Sequence, residues 1–426
     1  MKKLALLVGL YSGAALSAPT IAPEQVSDTQ QGDAIHFLHW WTSKGEIAAN
    51  AILKSTIKDQ GLQVIDVPVK GGGGLPAKSI LQARAIAGNP PDIAQMEGPA
   101  IRAWAKLGFL YPVTSAALQQ NWDANLYPFI RGIHRYQQDY YAVPITVHRL
   151  NWMWINTQKL KQAGLSVPTT WDEMLSTFAE LKKQGIKPLA LGNESWQVVQ
   201  LFENIAFSLG GANYYRKAFI ELDSEALGSD ITYEALAKFR ALSDLLSDYV
   251  TKKQWDEATH DLLRGEYVFQ ISGDWIAGEL MQDGVLPAEI SCYPVPSKNS
   301  GFLYNIDSFA FFKNATFKKT KAKLVSEALA KSEFLYDFNQ VKGSIPARHD
   351  ISLSGYNRCA VKSKQDLHLA IEQGTVMPSI VDSMAVSPLI QKAALGELYR
   401  FFNDPSITPQ EVVLHLQNVS KTGVSF

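Results

Sequence analysis

Apolar and polar positions repeat with two different periods along this chain, and the order of the two outlines a fold. Ile35-His36-Phe37-Leu38-His39-Trp40 predicts a strand. From Lys44 to Gln60 the residues Ile47, Ala51, Ile52 and Ile57 fall on one helical face, and Gly61 supplies the residue that commonly ends a helix. Val64 to Val69 predicts a second strand and Ser79 to Ala87 a second helix. A short third strand, Ile93 to Met96, follows Pro90-Pro91-Asp92. Strand–helix–strand–helix–strand in this order predicts an α/β unit with a parallel sheet and right-handed crossovers.

The pattern then lengthens. Tyr141 to Ile155 is extended well beyond the roughly five or six residues of an ordinary strand, so it can cross from one lobe to another. Helices are predicted over 157–163, 171–184, 198–209 and 233–246. Thr169-Thr170 ahead of Trp171-Asp172-Glu173 reads as an N-cap with an acidic first turn. Tyr267 to Ile271 predicts a buried strand that runs into Ser272-Gly273-Asp274-Trp275. Tyr293 to Phe312, rich in turn residues at Pro296 to Gly301, is a second candidate crossing, and helices dominate beyond it.

The N-terminus has a different character. Met1-Lys2-Lys3 is positive, Leu4 to Leu16 is apolar, and the small residues Ala14, Ala15, Ser17 and Ala18 follow. This predicts a signal peptide over 1–17, cleaved after Ser17, and a flexible polar leader over 18–32. The apolar run is too short to span a bilayer, and no later segment has the roughly 18 consecutive apolar residues that would. A soluble, periplasmic protein is expected.

Composition narrows the function. The chain has 426 residues, 46% apolar and 19% charged, with 40 Lys plus Arg against 41 Asp plus Glu. A balanced charge argues against nucleic acid, which is gripped by an excess of basic side chains, and against an anionic membrane surface. Two cysteines, Cys292 and Cys359, can form a disulfide in an oxidising compartment or remain as two buried thiols. The histidines are scattered without metal-ligand spacing, and no metal or cofactor is expected. Gly71 to Gly74 lacks the Lys-Ser or Lys-Thr of a phosphate loop and reads as a permissive turn.

Aromatic residues beside polar and charged groups carry the chemistry. Trp40 and Trp41 follow a strand and precede a helix, where open α/β sheets place ligands. Adjacent strand residues point to opposite faces, so one indole should reach a cleft. Trp196-Gln197 and Asp274-Trp275 are similar pairings. An indole covers the apolar face of a pyranose while ionised groups bind its hydroxyls. The carboxylates Glu97, Asp274, Glu279, Asp307 and Asp382 could instead include a glycosidase pair, which needs a separation of about 5 Å or about 6.5–9.5 Å that sequence does not give.

In order, HWWTSKGE, GNPPDIAQMEGP, AVPITVHRLNWMWIN, PTTWDEM, GDWIAGE, YNIDSFAFF, KGSIPAR and SMAVSP resemble the family 1 extracellular solute-binding proteins. Within that family they resemble the glucose/mannose-binding branch, over residues from Ile35 to Asn403. The resemblance implies a two-lobed periplasmic binding protein fold, type II-like, with a sugar in the interlobe cleft and closure about a hinge. It implies lobes of 33–146 plus 302–345 and 147–301 plus 346–426. It also implies a monomer that delivers sugar to ABC permease subunits in the inner membrane and performs no catalysis.

The contacts implied by the resemblance are Trp40, Trp41 and Glu46, then Asn305, Asp307 and Lys342, with Trp196, Gln197 and Trp275 as wall residues. Two positions depart from the pattern. Glu97 stands where the family places a lysine, and Asp382 where it usually places a histidine. Both departures make the cleft more negative. They predict either altered specificity, toward an amino sugar such as glucosamine or a glucosamine oligomer, or neutralisation of Glu97 by a neighbour such as Arg102. A secreted glycoside-active enzyme and a binding subunit that feeds a chemoreceptor or sensor kinase remain as alternatives.

Overall fold

A computed structural model describes residues 34–299 and 301–422. The expected signal peptide and leader lie outside the described residues. In chain order the strands are β1 (Ala34–His39), β2 (Gln63–Pro68), β3 (Ile93–Met96), β4 (Arg135–Tyr136), β5 (Asp139–Tyr140), β6 (Ala142–Arg149) and β7 (Trp152–Asn156). Then come β8 (Lys187–Leu189), β9 (Tyr267–Ile271), β10 (Ile290–Pro294), β11 (Phe302–Phe311), β12 (Ile345–Pro346) and β13 (Val376–Pro378).

They form two main sheets. The larger has the order β12-β6-β11-β3-β1-β2, with β13 paired to β11, and the smaller has the order β10-β7-β9-β8. The parallel arrangement expected of the first three strands holds for β2-β1-β3. It does not extend across the sheet: β11 runs antiparallel to both β3 and β6. The reason is the crossing segments, which enter the sheet from the other lobe without a crossover helix.

Both long extended stretches cross between the sheets. β6 lies in the larger sheet and β7 in the smaller, with Leu150 and Asn151 between them; β10 lies in the smaller and β11 in the larger. Asn151 pins the two crossings together. Its Nδ2 donates to the Gly301 carbonyl at 2.9 Å, and its Oδ1 accepts from Leu303 N at 3.1 Å. Each sheet has its own core. One contains Ile35, Phe37, Leu53, Ile306 and Phe309, and the other Trp154, Phe178, Phe202, Phe239 and Phe269.

The helix Arg358–Glu372 spans the junction, giving Leu367 and Ala370 to the first core and Cys359 to the second. Cys359 is joined to Cys292 on β10 in a disulfide with Cα atoms 6.0 Å apart. Arg149 at the end of β6 pairs with Asp366 of the same helix at 2.5 Å.

The first helix spans Lys44–Lys58 and is opened by a capping box, in which the Ser43 hydroxyl accepts from Glu46 N and Glu46 receives Ser43 N. The second starts at Leu75, four residues before the expected start, because Gly74 takes a left-handed conformation (φ 81°) and Pro76 fits the first turn. The helix expected at 198–209 runs over Ser195–Tyr215 and bends at Gly211 (φ 67°). The helix Trp255–Leu263 was not expected.

Candidate functional site

The ends of β1 and β3 and the middle of β11 face a cleft between the two sheets. The space it encloses, counting that open to solvent, is about 650 Å3. Trp40, Trp41, Glu46, Glu97, Asn305, Asp307 and Lys342 line it from the larger-sheet side. Glu194, Trp196, Gln254, Trp255, Asp256 and Trp275 line it from the other, with His148 and Asp382 completing it.

The two adjacent tryptophans, just past the end of β1, divide between core and cleft. Trp41 is only 2% exposed and packs edge-on against Phe37 and Phe309 with centroids 6.0 and 5.7 Å away, so it is core that reaches the cleft floor. Trp40 is half-buried and offers its ring to the cleft, with Lys78 Nζ 5.1 Å from its centroid. The glycine turn explains its place. A Cβ on Gly74 would stand 2.8 Å from the Trp40 indole, and one on Gly73 would stand 3.2 Å from Trp196.

The charges on this wall are matched in place. Glu46 sits in the first turn of its helix, held by Thr42 N and Ser43 N at 2.9 and 3.1 Å, and its other oxygen meets Lys342 Nζ at 3.0 Å. Glu97 accepts from Lys78 Nζ at 2.6 Å and from Asn305 Nδ2 at 2.8 Å. The cation beside Glu97 is therefore Lys78, from the helix Leu75–Ile86, and not Arg102. Burial raises the Glu97 carboxyl above its ordinary range, with Lys78 opposing and Asp307 adding to the rise.

Beneath the cleft lies a buried ionic chain. His148 places Nδ1 2.5 Å from Asp274 and Nε2 3.1 Å from Asp307. Burial alone would lower its pKa, but the two carboxylates outweigh that and hold it at about 9. Asp307 has the complementary balance: burial pushes it up, and His148 with Lys342 holds it below the usual carboxylate range. Gln95 donates to Asp307 at 2.8 Å and accepts from Trp40 N at 3.2 Å, so the cleft-facing indole is tied to the same chain. Asp274 also receives Arg149 N at 3.0 Å.

The opposite wall is aromatic. Trp275 meets His148, Trp196 and Trp255 edge-on, at 5.3, 6.1 and 6.4 Å between centroids. Glu194 receives Trp196 Nε1 at 2.9 Å and Gln254 Nε2 at 3.3 Å. Among the described residues that line the cleft, two buried polar atoms have no hydrogen-bond partner: the donor Trp275 Nε1 and the acceptor Asn305 Oδ1. One lies on each wall.

Asp382 closes one end. Ser379 Oγ lies 2.9 and 3.0 Å from the two oxygens of Glu203 and 3.3 Å from Asp382 Oδ2. One hydroxyl proton cannot serve all three acceptors. Glu203 is well supplied, with Tyr215 OH at 2.6 Å and Ile380 N at 2.8 Å. Burial, then Glu203 and Glu97, push the Asp382 carboxyl well above its ordinary value.

Most sequence candidates thus meet in one crevice: Trp40, Trp41, Glu46, Glu97, Trp196, Trp275, Asn305, Asp307, Lys342 and Asp382. Gln197 does not line it. Its amide is used inside the wall, accepting from Gly192 N at 3.0 Å and donating to Glu194 at 3.0 Å. Sequence reasoning missed His148, Glu194, Gln254, Trp255 and Asp256. His148 lies inside the long crossing motif, between Val147 and Arg149 near the end of β6, and an ionisable side chain in that mostly apolar strand was the available signal.

Comparison with known proteins agrees with this architecture. A family model described as bacterial extracellular solute-binding protein matches residues 51–333. A probable sugar-binding periplasmic protein of Brucella suis is 34% identical over 404 residues, covering 95% of each chain. One of Rhizobium meliloti is 34% identical over 383 residues, covering 90% of this chain and 92% of its own. A solved chitin oligosaccharide binding protein superposes with a TM-score of 0.76 at 16% identity, covering 91% of this chain and 98% of that one. A bacterial solute receptor with an exclusive preference for β-D-galactopyranose superposes with a TM-score of 0.73 at 16% identity, over 91% and 97%. With its two sheets, its paired crossings and its interlobe cleft, this chain belongs to the bacterial extracellular solute-binding protein family.

Proposed function

We propose that the protein is the periplasmic sugar-binding component of an ABC importer, secreted through the expected signal peptide and acting as a monomer. It encloses one monosaccharide or short oligosaccharide and hands it to membrane permease subunits chemically unchanged. The observation that carries this reading is the pairing of an aromatic wall around Trp275 with a charged wall of Glu46, Glu97, Asp307 and Lys342 across one cleft. Indole faces suit the C–H face of a pyranose, and charge-assisted hydrogen bonds suit its hydroxyls. Relatives at 34% identity named as probable sugar-binding periplasmic proteins support the same ligand class.

Binding without chemistry fits the carboxylates better than hydrolysis. Asp274 and Asp307 both hold the His148 imidazolium, and Glu46 and Glu97 both hold lysines. Neither pair is left as an acid beside a free base.

The Asp382 end decides the sugar. Glu97, Asp382 and Glu203 crowd together, and the Lys78 ammonium opposes their effect on Asp382. The surplus negative charge has two remedies. A proton on Asp382 turns it into a neutral donor for a sugar hydroxyl, the arrangement we favour, because Lys78 already answers Glu97. A ligand ammonium beside Asp382 is the second reading, and it gives an amino sugar such as glucosamine. Calorimetric titration with D-glucose and D-glucosamine separates them. Tighter glucose binding supports the neutral reading, tighter glucosamine binding supports the cationic one, and heat with no sugar at all removes both.

A further inference from the structure

The helix Ile276–Leu280 belongs to the smaller-sheet lobe: Ile276, Ala277 and Leu280 sit in its core. The helix Lys44–Lys58 belongs to the other, through Ala49, Leu53 and Ile57. The two touch beside the cleft, at the turn that carries Glu46. There Glu279 reaches across the lobe boundary. Its Oε1 accepts from Ser43 Oγ and from Gly45 N, both at 2.5 Å. Ser43 is the N-cap of the helix and Gly45 lies in its first turn, where unpaired N–H groups and the positive end of the helix dipole favour a carboxylate. The Glu279 side chain is completely buried, and its second oxygen has no hydrogen-bond partner, with His260 Nε2 3.6 Å away.

The backbone at this contact admits no side chains. A Cβ on Gly45 would stand 2.7 Å from the Gly278 carbonyl carbon. One on Gly278 would stand 2.8 Å from the Lys342 carbonyl oxygen, and one on Gly343 would stand 2.6 Å from Ala277 Cβ. Three glycines from three chain segments therefore let the lobes meet main chain to main chain. The same segments carry Glu46 and Lys342, whose side chains pair at 3.0 Å in the cleft. A buried carboxylate whose donors come from the other lobe loses them if the lobes part, and would then face solvent. The seam is thus strongest when the lobes are shut, and it is mechanically joined to the ligand-binding turn.

We infer that Glu279 and Gly278 form an interlobe latch that stabilises the closed form and sets how long a bound ligand is held, without touching the ligand. Glu279 is in this sense a positioning residue: it fixes the Ser43–Glu46 turn and reports its position to the other lobe.

The latch is tested in the full mature chain with Glu279→Ala, Glu279→Gln and Gly278→Ala. Amide hydrogen exchange of the ligand-free protein needs no sugar. Glu279→Ala should speed exchange at Gly45 about 10-fold or more, since a charge-assisted bond to that amide is lost, while Glu279→Gln, which keeps an acceptor, should restore most of the protection. Unchanged exchange at Gly45 overturns the latch. The second arm rests on the reading of the cleft as a sugar site. The dissociation rate of D-glucose and of D-glucosamine, followed by tryptophan fluorescence, should rise about 10- to 100-fold in Glu279→Ala and in Gly278→Ala, with association changed by less than about 3-fold. Dissociation that stays at the wild-type rate in both variants overturns the inference. So does an equal slowing of association, which marks a damaged site. If neither sugar binds the wild type, the sugar reading fails, and the exchange measurement alone decides the latch.

Discussion

The two walls of the cleft solve the problem of holding a polar ligand in different ways. On the larger-sheet wall the cleft-lining charges already have protein partners: Glu46 with Lys342, Glu97 with Lys78, Asp307 with His148. On the smaller-sheet wall Trp275 is framed edge-on by other rings, and its indole N–H has no partner. The first wall is therefore part of what holds the protein together, and its hydrogen-bonding groups are fixed before a ligand arrives. The second is a surface whose main polar donor is still unused. Damage to the first should reach the fold through its charges, and damage to the second should reach the ligand together with the packing of the rings around Trp275.

The largest effect should follow Asp307→Ala. It leaves the buried His148 charge with one carboxylate, a loss of about 3–5 kcal/mol of stability, read as a lowered midpoint in denaturant unfolding along with lost binding. A fully stable Asp307→Ala protein would erase the distinction between the walls.

Next comes the pH dependence of stability. The folded pKa of His148, at about 9, lies above the ordinary 6.5, so its contribution of about 3 kcal/mol is complete below about pH 6.5 and is lost as pH rises through about 9. Unfolding midpoints measured from pH 6 to pH 10 should fall, and His148→Gln should flatten that fall.

Trp275→Ala sharpens the comparison from the other side. It should weaken sugar binding about 100-fold by calorimetry, the size expected of an aromatic hot spot, and should also lower stability, since Trp275 is a buried member of the smaller sheet's core. Asp382→Asn should be milder. In the neutral reading it leaves glucose affinity within about 10-fold and abolishes the weakening of binding at high pH, because an amide donates at any pH. Smallest of all, Gln197→Ala should change affinity by less than about 3-fold, since Gln197 braces Glu194 and does not face the cleft.

The sequence was most legible where short-range rules govern. The capped helix at Thr170, the strand Tyr267–Ile271 and the two crossings follow from periodicity and local turn chemistry. The antiparallel insertion of β11 between β3 and β6 did not, because that pairing joins residues more than 150 positions apart. The site shows the same split. Trp40 and Trp41 announced themselves as a pair, and the structure then gave them different tasks: one faces the cleft and one fills the core. The charges resisted reading altogether. Glu97 invited a partner nearby in sequence, Arg102, yet the partner is Lys78 on the preceding helix, and the role of His148 depends on carboxylates 126 and 159 residues away. Electrostatic partners are chosen by space, and a pattern of residue types along a chain carries no such distances.

The most direct test is calorimetric titration of the mature protein and of its Trp275→Ala variant with D-glucose, D-glucosamine and short oligosaccharides, with the recovered sugar analysed afterwards. The account predicts one-to-one binding of at least one of these, lost in the variant, and recovery of the sugar intact. Binding that survives Trp275→Ala unchanged, or a sugar returned cleaved, would contradict it.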